Sequence, residues 1–399
     1  MSNKPNVGGL FEMLYFKNKY KEREKVIQNT PVSTDVAVVS PTNIKALERH
    51  PDTQDFIVEK VVWQNPDVKT FILRRKDGNK AAYFRAGQYV VIRELIDGKL
   101  IARPVSLSCS PSVTEDGHIQ LTVKRVADGF LSEHILSTWG EGTEVTTSGP
   151  QGNFYYEKFR DAYNVIGVCG GSGVTPMISM AEAIADGIEN FNLTILYGSR
   201  KESDILFRER FDAVTAKTDK VKVVHVLSDE EKDGFEHGFI GADLIRKYAP
   251  EGTYSIFAAG PRAMYRFLDK EVDKLGIERK FYRKEIFGAS KEPWTLSGYP
   301  AESKDKTYHV TVHICDKVYE IDCSANETIL TAFERAGVAG PNRCRGGVCG
   351  WCRSRLVSGT VYIPEETDGR RAADKVFGYI HPCASYATSD LVIEVPFNK

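Results

Sequence analysis

From about residue 53 apolar positions alternate with polar ones, in runs such as 70–73, 89–92 and Ile119, Leu121 and Val123. A period of two predicts strands with one buried face. Asp-Gly pairs punctuate these runs at Asp77-Gly78, Asp97-Gly98 and Asp116-Gly117, and this dipeptide suits tight hairpin turns. Together they predict an antiparallel meander or small barrel over 53–155. After Gly149-Pro150-Gln151-Gly152-Asn153-Phe154 the period changes. Short apolar runs at 164–169, 193–197, 221–227 and 255–259 alternate with helical stretches such as 208–216 and 263–275. Strand alternating with helix predicts a parallel sheet covered by helices on both faces, over 156–288.

Residues 289–306 lose this pattern and gain Pro, Ser, Gly and Lys, the composition of a linker. The segment 307–399 opens on a hairpin, 309–315 then 318–323, and continues with a helix near 328–336. At the other end, an N-terminal extension of residues 1–52 carries apolar Leu10, Phe11, Leu14 and Tyr15 before a Lys/Glu/Arg-rich stretch. That is an amphipathic helix grading into a charged one, packed on its own protein or serving as a docking arm.

Composition narrows the function. A chain of 399 residues has room for two to four domains at roughly 100–200 residues each. With 53 Lys and Arg against 54 Asp and Glu, neither a nucleic-acid footprint nor a polybasic membrane patch is indicated. No apolar run approaches the roughly 18 residues of a spanning helix. The N-terminus Met1-Ser2-Asn3-Lys4-Pro5 lacks an apolar signal core, which predicts a cytoplasmic protein.

Three of the eight cysteines fall within nine residues, which is ligand spacing rather than a disulfide framework. Cys344, Cys349 and Cys352 form C-x4-C-x2-C, and Cys383 follows some thirty residues on. The spacing matches the plant-type ferredoxin arrangement for a [2Fe-2S] cluster, with zinc or unliganded thiols as the alternatives. Gly346, Gly347 and Gly350 leave room for backbone N–H groups to turn toward cluster sulfurs. Cys109, Cys169, Cys315 and Cys323 lie in or beside apolar strands and read as small buried hydrophobes.

A barrel, a nucleotide-type α/β domain and a ferredoxin module, in that order, resemble the ferredoxin-NADP reductase superfamily. More narrowly, they resemble its flavin reductases with a C-terminal [2Fe-2S] domain, of the phthalate dioxygenase reductase type. The resemblance covers about 53–399. It implies an antiparallel β-barrel flavin domain, an α/β parallel-sheet nicotinamide domain and an α+β β-grasp ferredoxin domain. The family's flavin motif R-x-Y-S reads here Arg103-Pro104-Val105-Ser106. By resemblance Arg103 faces a flavin phosphate and Ser106 sits near flavin N5, while Val105 replaces the stacking tyrosine. Val123 and Lys124, followed by Gly129 and Ser132, are similar to the G-x-x-S segment that holds a pyrophosphate. That form favours FAD over FMN.

The nicotinamide motif resembles Gly170-Gly171-Ser172-Gly173-Val174-Thr175-Pro176, where small residues admit dinucleotide phosphates and Thr175 with Pro176 caps and starts a helix. Ser199 and Arg200 follow the next strand, at the ribose position. Gly260-Pro261 and Met264 resemble the C-G-P-x-x-M segment, with Ala259 in place of its cysteine. Glu285-Ile286-Phe287 looks like the E-x-F element whose aromatic approaches the flavin. Asp229, within the acidic run 228–231, would repel a 2′-phosphate and favours NADH over NADPH.

The resemblance therefore implies an NAD(P)H-dependent oxidoreductase: hydride passes to flavin, then single electrons pass to the cluster and on to a separate redox protein, such as an oxygenase. A non-autonomous electron-transfer subunit and a redox sensor on a reductase scaffold are the alternatives. Arg343, Arg345, Arg353 and Arg355 around the cluster cysteines predict an acceptor with an acidic docking face.

Overall fold

The computed structural model describes residues 10–30, 40–127 and 129–396, with 10–16 described by backbone alone. Residues 1–5 and the apolar side chains of Leu10, Phe11, Leu14 and Tyr15 lie outside the described residues. The N-terminal unit contains helix α1 (Leu10–Asn29), and α2 (Pro41–Arg49) follows. From Leu47, within α2, the described residues form one compact unit.

Six strands make its first sheet: β1 (Gln54–Asn65), β2 (Val68–Arg75), β3 (Tyr89–Ile96), β4 (Lys99–Ser106), β5 (His118–Lys124) and, after helix α3 (Phe130–Thr138), β6 (Glu144–Thr147). They pair antiparallel in the order β4-β3-β6-β1-β2-β5. A bridge from Leu107 to Leu121 joins the two edges and closes the barrel. Phe56, Phe71, Leu73 and Ile92 fill it, and Trp139 meets Phe71 edge-on at 5.2 Å; such pairs add about 1 kcal/mol beyond the area they bury.

Of the three Asp-Gly pairs, only Asp97-Gly98 makes the expected two-residue hairpin, joining β3 to β4 with both residues at positive φ. The β1–β2 hairpin turns instead on Pro66-Asp67, where Asn65 Oδ1 accepts from the Asp67 N–H. Asp77-Gly78 follows β2 without closing a hairpin, and Asp116-Gly117 ends a 3-10 turn ahead of β5.

The second sheet is parallel. Its elements are β7 (Asn164–Gly170), α4 (Thr175–Ala185), β8 (Asn192–Ser199), α5 (Arg208–Lys217), β9 (Val221–Leu227), β10 (Glu236–His237), α6 (Ala242–Tyr248), β11 (Tyr254–Ala259), α7 (Arg262–Asp273) and β12 (Tyr282–Glu285). The strand order β10-β9-β8-β7-β11-β12 puts the reversal between β7 and β11. The carboxyl ends at such a reversal open a crevice for ligands.

Helix α4 is buried over almost its whole circumference, because it is wedged between this sheet and the barrel. Ser179 Oγ donates to the Cys109 carbonyl at 2.6 Å. Glu182 accepts from Arg210 Nε (2.8 Å) and from the Ser110 N–H (3.1 Å), and Arg210 also donates to the Ser108 carbonyl. These bonds fix the barrel against the parallel sheet.

The last module comprises β13 (Thr307–Ile314), β14 (Lys317–Ser324), α8 (Ile329–Arg335), β15 (Ser354–Ser358), β16 (Val361–Tyr362), α9 (Ala372–Val376), β17 (Tyr379–Ile380), β18 (Tyr386–Ala387) and β19 (Leu391–Val395). The main sheet, β14-β13-β19-β15-β17, is mixed, with β13 and β19 parallel. Thr328 caps α8 by accepting from the Thr331 N–H, and Leu330 and Phe333 bury the helix on the sheet. This is the β-grasp arrangement.

Residues 289–306 contain two short 3-10 turns and are pinned to this module. Tyr386 Oη donates to the Ser290 carbonyl (2.6 Å) and Tyr362 Oη to that of Ser297 (2.8 Å). Cys109, Cys169 and Cys323 are buried as expected, and burial pushes the Cys109 and Cys323 thiols up to about 12. Cys315 is exposed instead: it occupies the hairpin turn between β13 and β14 at φ 55°, where the chain leaves the core.

Candidate functional site

A single cleft of about 1740 Å³ runs between the barrel, the parallel sheet and the last module. Single-ligand pockets measure roughly 300–1,000 Å³, so the cleft has room for two nucleotide cofactors. Six cations line it: Arg103, Lys124, Arg200, Arg262, Lys291 and Arg345. Arg200 and Arg262 are paired with Asp204 and Glu366, and Arg103 and Arg345 share Glu334; Lys124, Lys291 and the excess charge beside Glu334 suit phosphates.

The barrel contributes the end of β4 and the start of α3. Arg103, Pro104, Val105 and Ser106 line the cleft together with Val123, Lys124, Gly129 and Ser132. Ser132 Oγ donates to the Gly129 carbonyl and accepts from the Val126 N–H, tightening the turn that leads into α3. Asp128 in that turn lies outside the described residues. Val105 also packs against the barrel core, so a valine serves the fold at the position where a tyrosine would reach outward.

The parallel sheet contributes the turn after β7 and the segment after β11. Gly170, Gly171, Ser172, Gly173 and Thr175 line the cleft opposite Gly260, Pro261 and Met264. A Cβ on Gly173 would lie 2.1 Å from the Ala259 carbonyl oxygen; only glycine lets the two segments meet. Thr175 does not cap α4 as expected, since its hydroxyl donates back to the Ser172 carbonyl, while Pro176 occupies the first turn without lining the cleft. Ser199 and Arg200 line the cleft, with Arg200 paired to Asp204. Asp229 does not; it accepts from Ser228 Oγ beside the cleft wall.

Glu285 and Phe287 meet the barrel residues that line the cleft. Ser106 Oγ donates to Glu285 Oε1 at 2.9 Å, and desolvation in the cleft raises the half-buried Glu285 carboxyl to about 8 although the Ser106 bond pulls the other way. Phe287 stands edge-on to Tyr89 at 5.0 Å. Tyr89, Val91 and Ala102 of the barrel pack with Phe287 and Cys344 in one apolar cluster.

Cys344, Cys349, Cys352 and Cys383 converge. Cys344 contacts both Cys349 and Cys383, and Cys383 contacts Cys352, so the sulfurs follow one another as two pairs in a row. Among the described residues, no group of three or more His, Cys, Asp or Glu side chains is arranged to hold a single metal ion. Two pairs in a row suit two irons instead. Backbone N–H groups aim at the sulfurs: Gly346 at Cys344, Gly347 at Cys383, Trp351 at Cys349. Gly347 sits at φ 83°, and a Cβ there would lie 2.1 Å from the Thr367 carbonyl. Cys383 lines the common cleft. The cysteine loop also rests on the E-x-F segment: the Gly288 N–H donates to the Cys344 carbonyl, and Gly346 abuts Ile286.

Two features escaped the sequence. Arg103 Nη1 donates to both oxygens of Glu334 at 2.9 Å, and Arg345 Nη1 donates to Glu334 Oε1 at 2.7 Å. Glu334, in α8, is buried. The second feature alters the expected basic rim. Arg345 is turned inward to Glu334, Arg353 is paired with Asp374, and Arg355 with Glu394; Arg343 stacks on Trp351. Asp374 and Glu394 offset Arg353 and Arg355, while Arg345 shares Glu334 with Arg103, so the rim carries less net positive charge than four arginines imply and the expected acidic docking partner has less to attract it.

Among the described residues, no helix is long and apolar enough to cross a membrane. Residues 55–156 match the oxidoreductase FAD-binding domain family, 168–270 the oxidoreductase NAD-binding domain family, and 312–388 the 2Fe-2S iron-sulfur cluster binding domain family. The chain is 26% identical over 349 residues to the glycine betaine monooxygenase reductase subunit of Chromohalobacter salexigens, covering 84% of this chain and 93% of that protein. It is 31% identical over 203 residues to NADH-cytochrome b5 reductase 1 of Candida glabrata, covering 48% of this chain and 69% of that one. Its fold is similar to the solved structure of phthalate dioxygenase reductase, with a TM-score of 0.61 and 24% identity over 86% of this chain and 98% of that one.

Proposed function

The chain belongs to the ferredoxin-NADP reductase superfamily, as a flavin reductase with a C-terminal [2Fe-2S] domain in the phthalate dioxygenase reductase order, and from this we propose that it carries electrons from NADH through FAD and a [2Fe-2S] cluster to an oxygenase component. The observation that carries the reading is the shared cleft, which the flavin-type segment, the nicotinamide-type turn and Cys383 all line. When bound, the flavin would take the two electrons of a hydride and release them singly to the cluster. The acceptor is proposed from the relative in Chromohalobacter salexigens, which is a monooxygenase reductase subunit by name.

In this reading Arg103, Lys124, Gly129 and Ser132 hold the flavin phosphates, and Pro104 and Val105 cover its ring. Gly170, Gly171, Ser172, Gly173, Ser199, Arg200, Gly260, Pro261 and Met264 hold the nicotinamide dinucleotide, with Thr175 and Pro176 shaping the turn and Asp229 disfavouring a 2′-phosphate. Ser106 and Glu285 hold a proton beside the hydride acceptor; at neutral pH the raised Glu285 carboxyl keeps it. Phe287 screens that point from water. Cys344, Cys349, Cys352 and Cys383 ligate the cluster. The functional units are then 53–155, 156–288 and 307–399, with 289–306 joining the last two. A supply of NADH and reduced thiols supports a cytoplasmic setting. Anaerobic titration of the purified protein with NADH, following flavin and cluster absorbance together, tests the reading: both bleach if it holds, and a chain without either chromophore overturns it.

A further inference from the structure

Glu334 joins two places that the electron path must connect. Its carboxylate accepts from Arg103 on β4 of the barrel and from Arg345 in the cysteine loop, and the Ala102 N–H points at the same oxygen from 3.4 Å. It is buried, and both arginines line the cleft. Two guanidinium groups share one carboxylate, so one positive charge is left uncompensated at the cleft wall. A cofactor phosphate bound in the cleft would supply the matching charge. Breaking such a buried set at its one anion leaves two like charges facing each other.

We propose that Glu334 is a positioning residue that fastens the ferredoxin module to the flavin barrel by sharing its carboxylate between Arg103 and Arg345. The inference rests on the reading above for what the two modules carry. Tyr89, Phe287 and Cys344 already pack together at this junction, but apolar contacts are non-directional. The ion triad supplies the direction. It locks the strand bearing the flavin motif to the loop bearing the first cysteine, and so sets the separation between the two redox sites. Glu334 itself touches neither site.

The test uses the full flavin- and cluster-loaded chain in anaerobic stopped flow with NADH, comparing wild type with Glu334→Gln, which keeps the shape and removes the charge. Flavin bleaching is expected to stay within about twofold of wild type and cluster bleaching to slow by about tenfold or more. Hydrogen-deuterium exchange of the same proteins should rise at 99–106 and 329–335 and stay unchanged in β7 and β8. Cluster bleaching at the wild-type rate overturns the proposal, as does equal slowing of both phases, which marks general damage. Glu334→Asp retains the charge with a shorter reach and serves if the neutral variant does not fold: it should slow the cluster phase alone, and wild-type behaviour overturns the proposal. A wild-type chain that lacks flavin or cluster bleaching fails the functional reading instead.

Discussion

Ser106 Oγ donates a 2.9 Å hydrogen bond to Glu285 Oε1, joining residues 179 positions apart. β4 of the barrel and β12 of the parallel sheet thereby meet at one proton. Burial holds the Glu285 carboxyl at about 8 against its ordinary 4.5, so between those values the folded protein keeps a proton that the unfolded chain releases. The stabilisation is complete below pH 4.5 and is lost as pH rises through 8. Thermal melting should fall across that window in wild type and flatten in Glu285→Gln. In stopped flow, NADH-driven flavin reduction should decline above pH 8, and Glu285→Gln should abolish that limb while slowing the step by at least about tenfold.

Cys383 lines the cleft and touches two of the other three cysteines. Cys383→Ser should lose the visible absorption and electron paramagnetic resonance signal of the cluster. Flavin bleaching by NADH should persist, because Ser106, Glu285 and the Gly170–Gly173 turn are untouched.

Val105 offers the cleft no aromatic face. Val105→Tyr should tighten flavin binding about fivefold, corresponding to about 1 kcal/mol for the added ring contact. Fluorescence titration of the flavin-stripped protein measures it. No change would mean that the tyrosine ring cannot leave the barrel core for the cleft.

Arg353 and Arg355 each carry a counter-ion and Arg345 shares one with Arg103, so long-range attraction of an acidic acceptor is reduced. Reduction of the proposed oxygenase acceptor should vary less than about twofold between about 0.02 and 0.2 M salt, although such a change shortens the screening length severalfold. A steep decline would restore the expectation of a basic docking face.

The order of modules was legible because each carries a local signal: period-two alternation in the barrel, strand-helix alternation in the parallel sheet, cysteine spacing in the last module. The segments that line the cleft were legible as motifs for the same reason. Turn chemistry was less so. Asp-Gly suits several turns, and the surroundings of Asp77 and Asp116 used it otherwise. The Glu334 triad left no signal, since Arg103 and Glu334 lie 231 positions apart and a glutamate in the last turn of a short helix looks like any solvated residue. Tyr89 was hidden likewise, as one apolar position among several in β3. The collar of arginines was visible, but the carboxylates that pair with three of its members stand on other elements.

The pinning of residues 289–306 by Tyr362 and Tyr386 governs how an acceptor is served. A redox centre on a slack tether can travel and accommodate acceptors of many shapes. Here the anchored segment and the proposed Glu334 junction leave the module little slack, and an acceptor would meet the centre where Val348 and Cys349 are exposed on the cysteine loop. Choice among acceptors then falls to the contour of that small rim, and a change of client requires remodelling a few loop side chains rather than lengthening a leash.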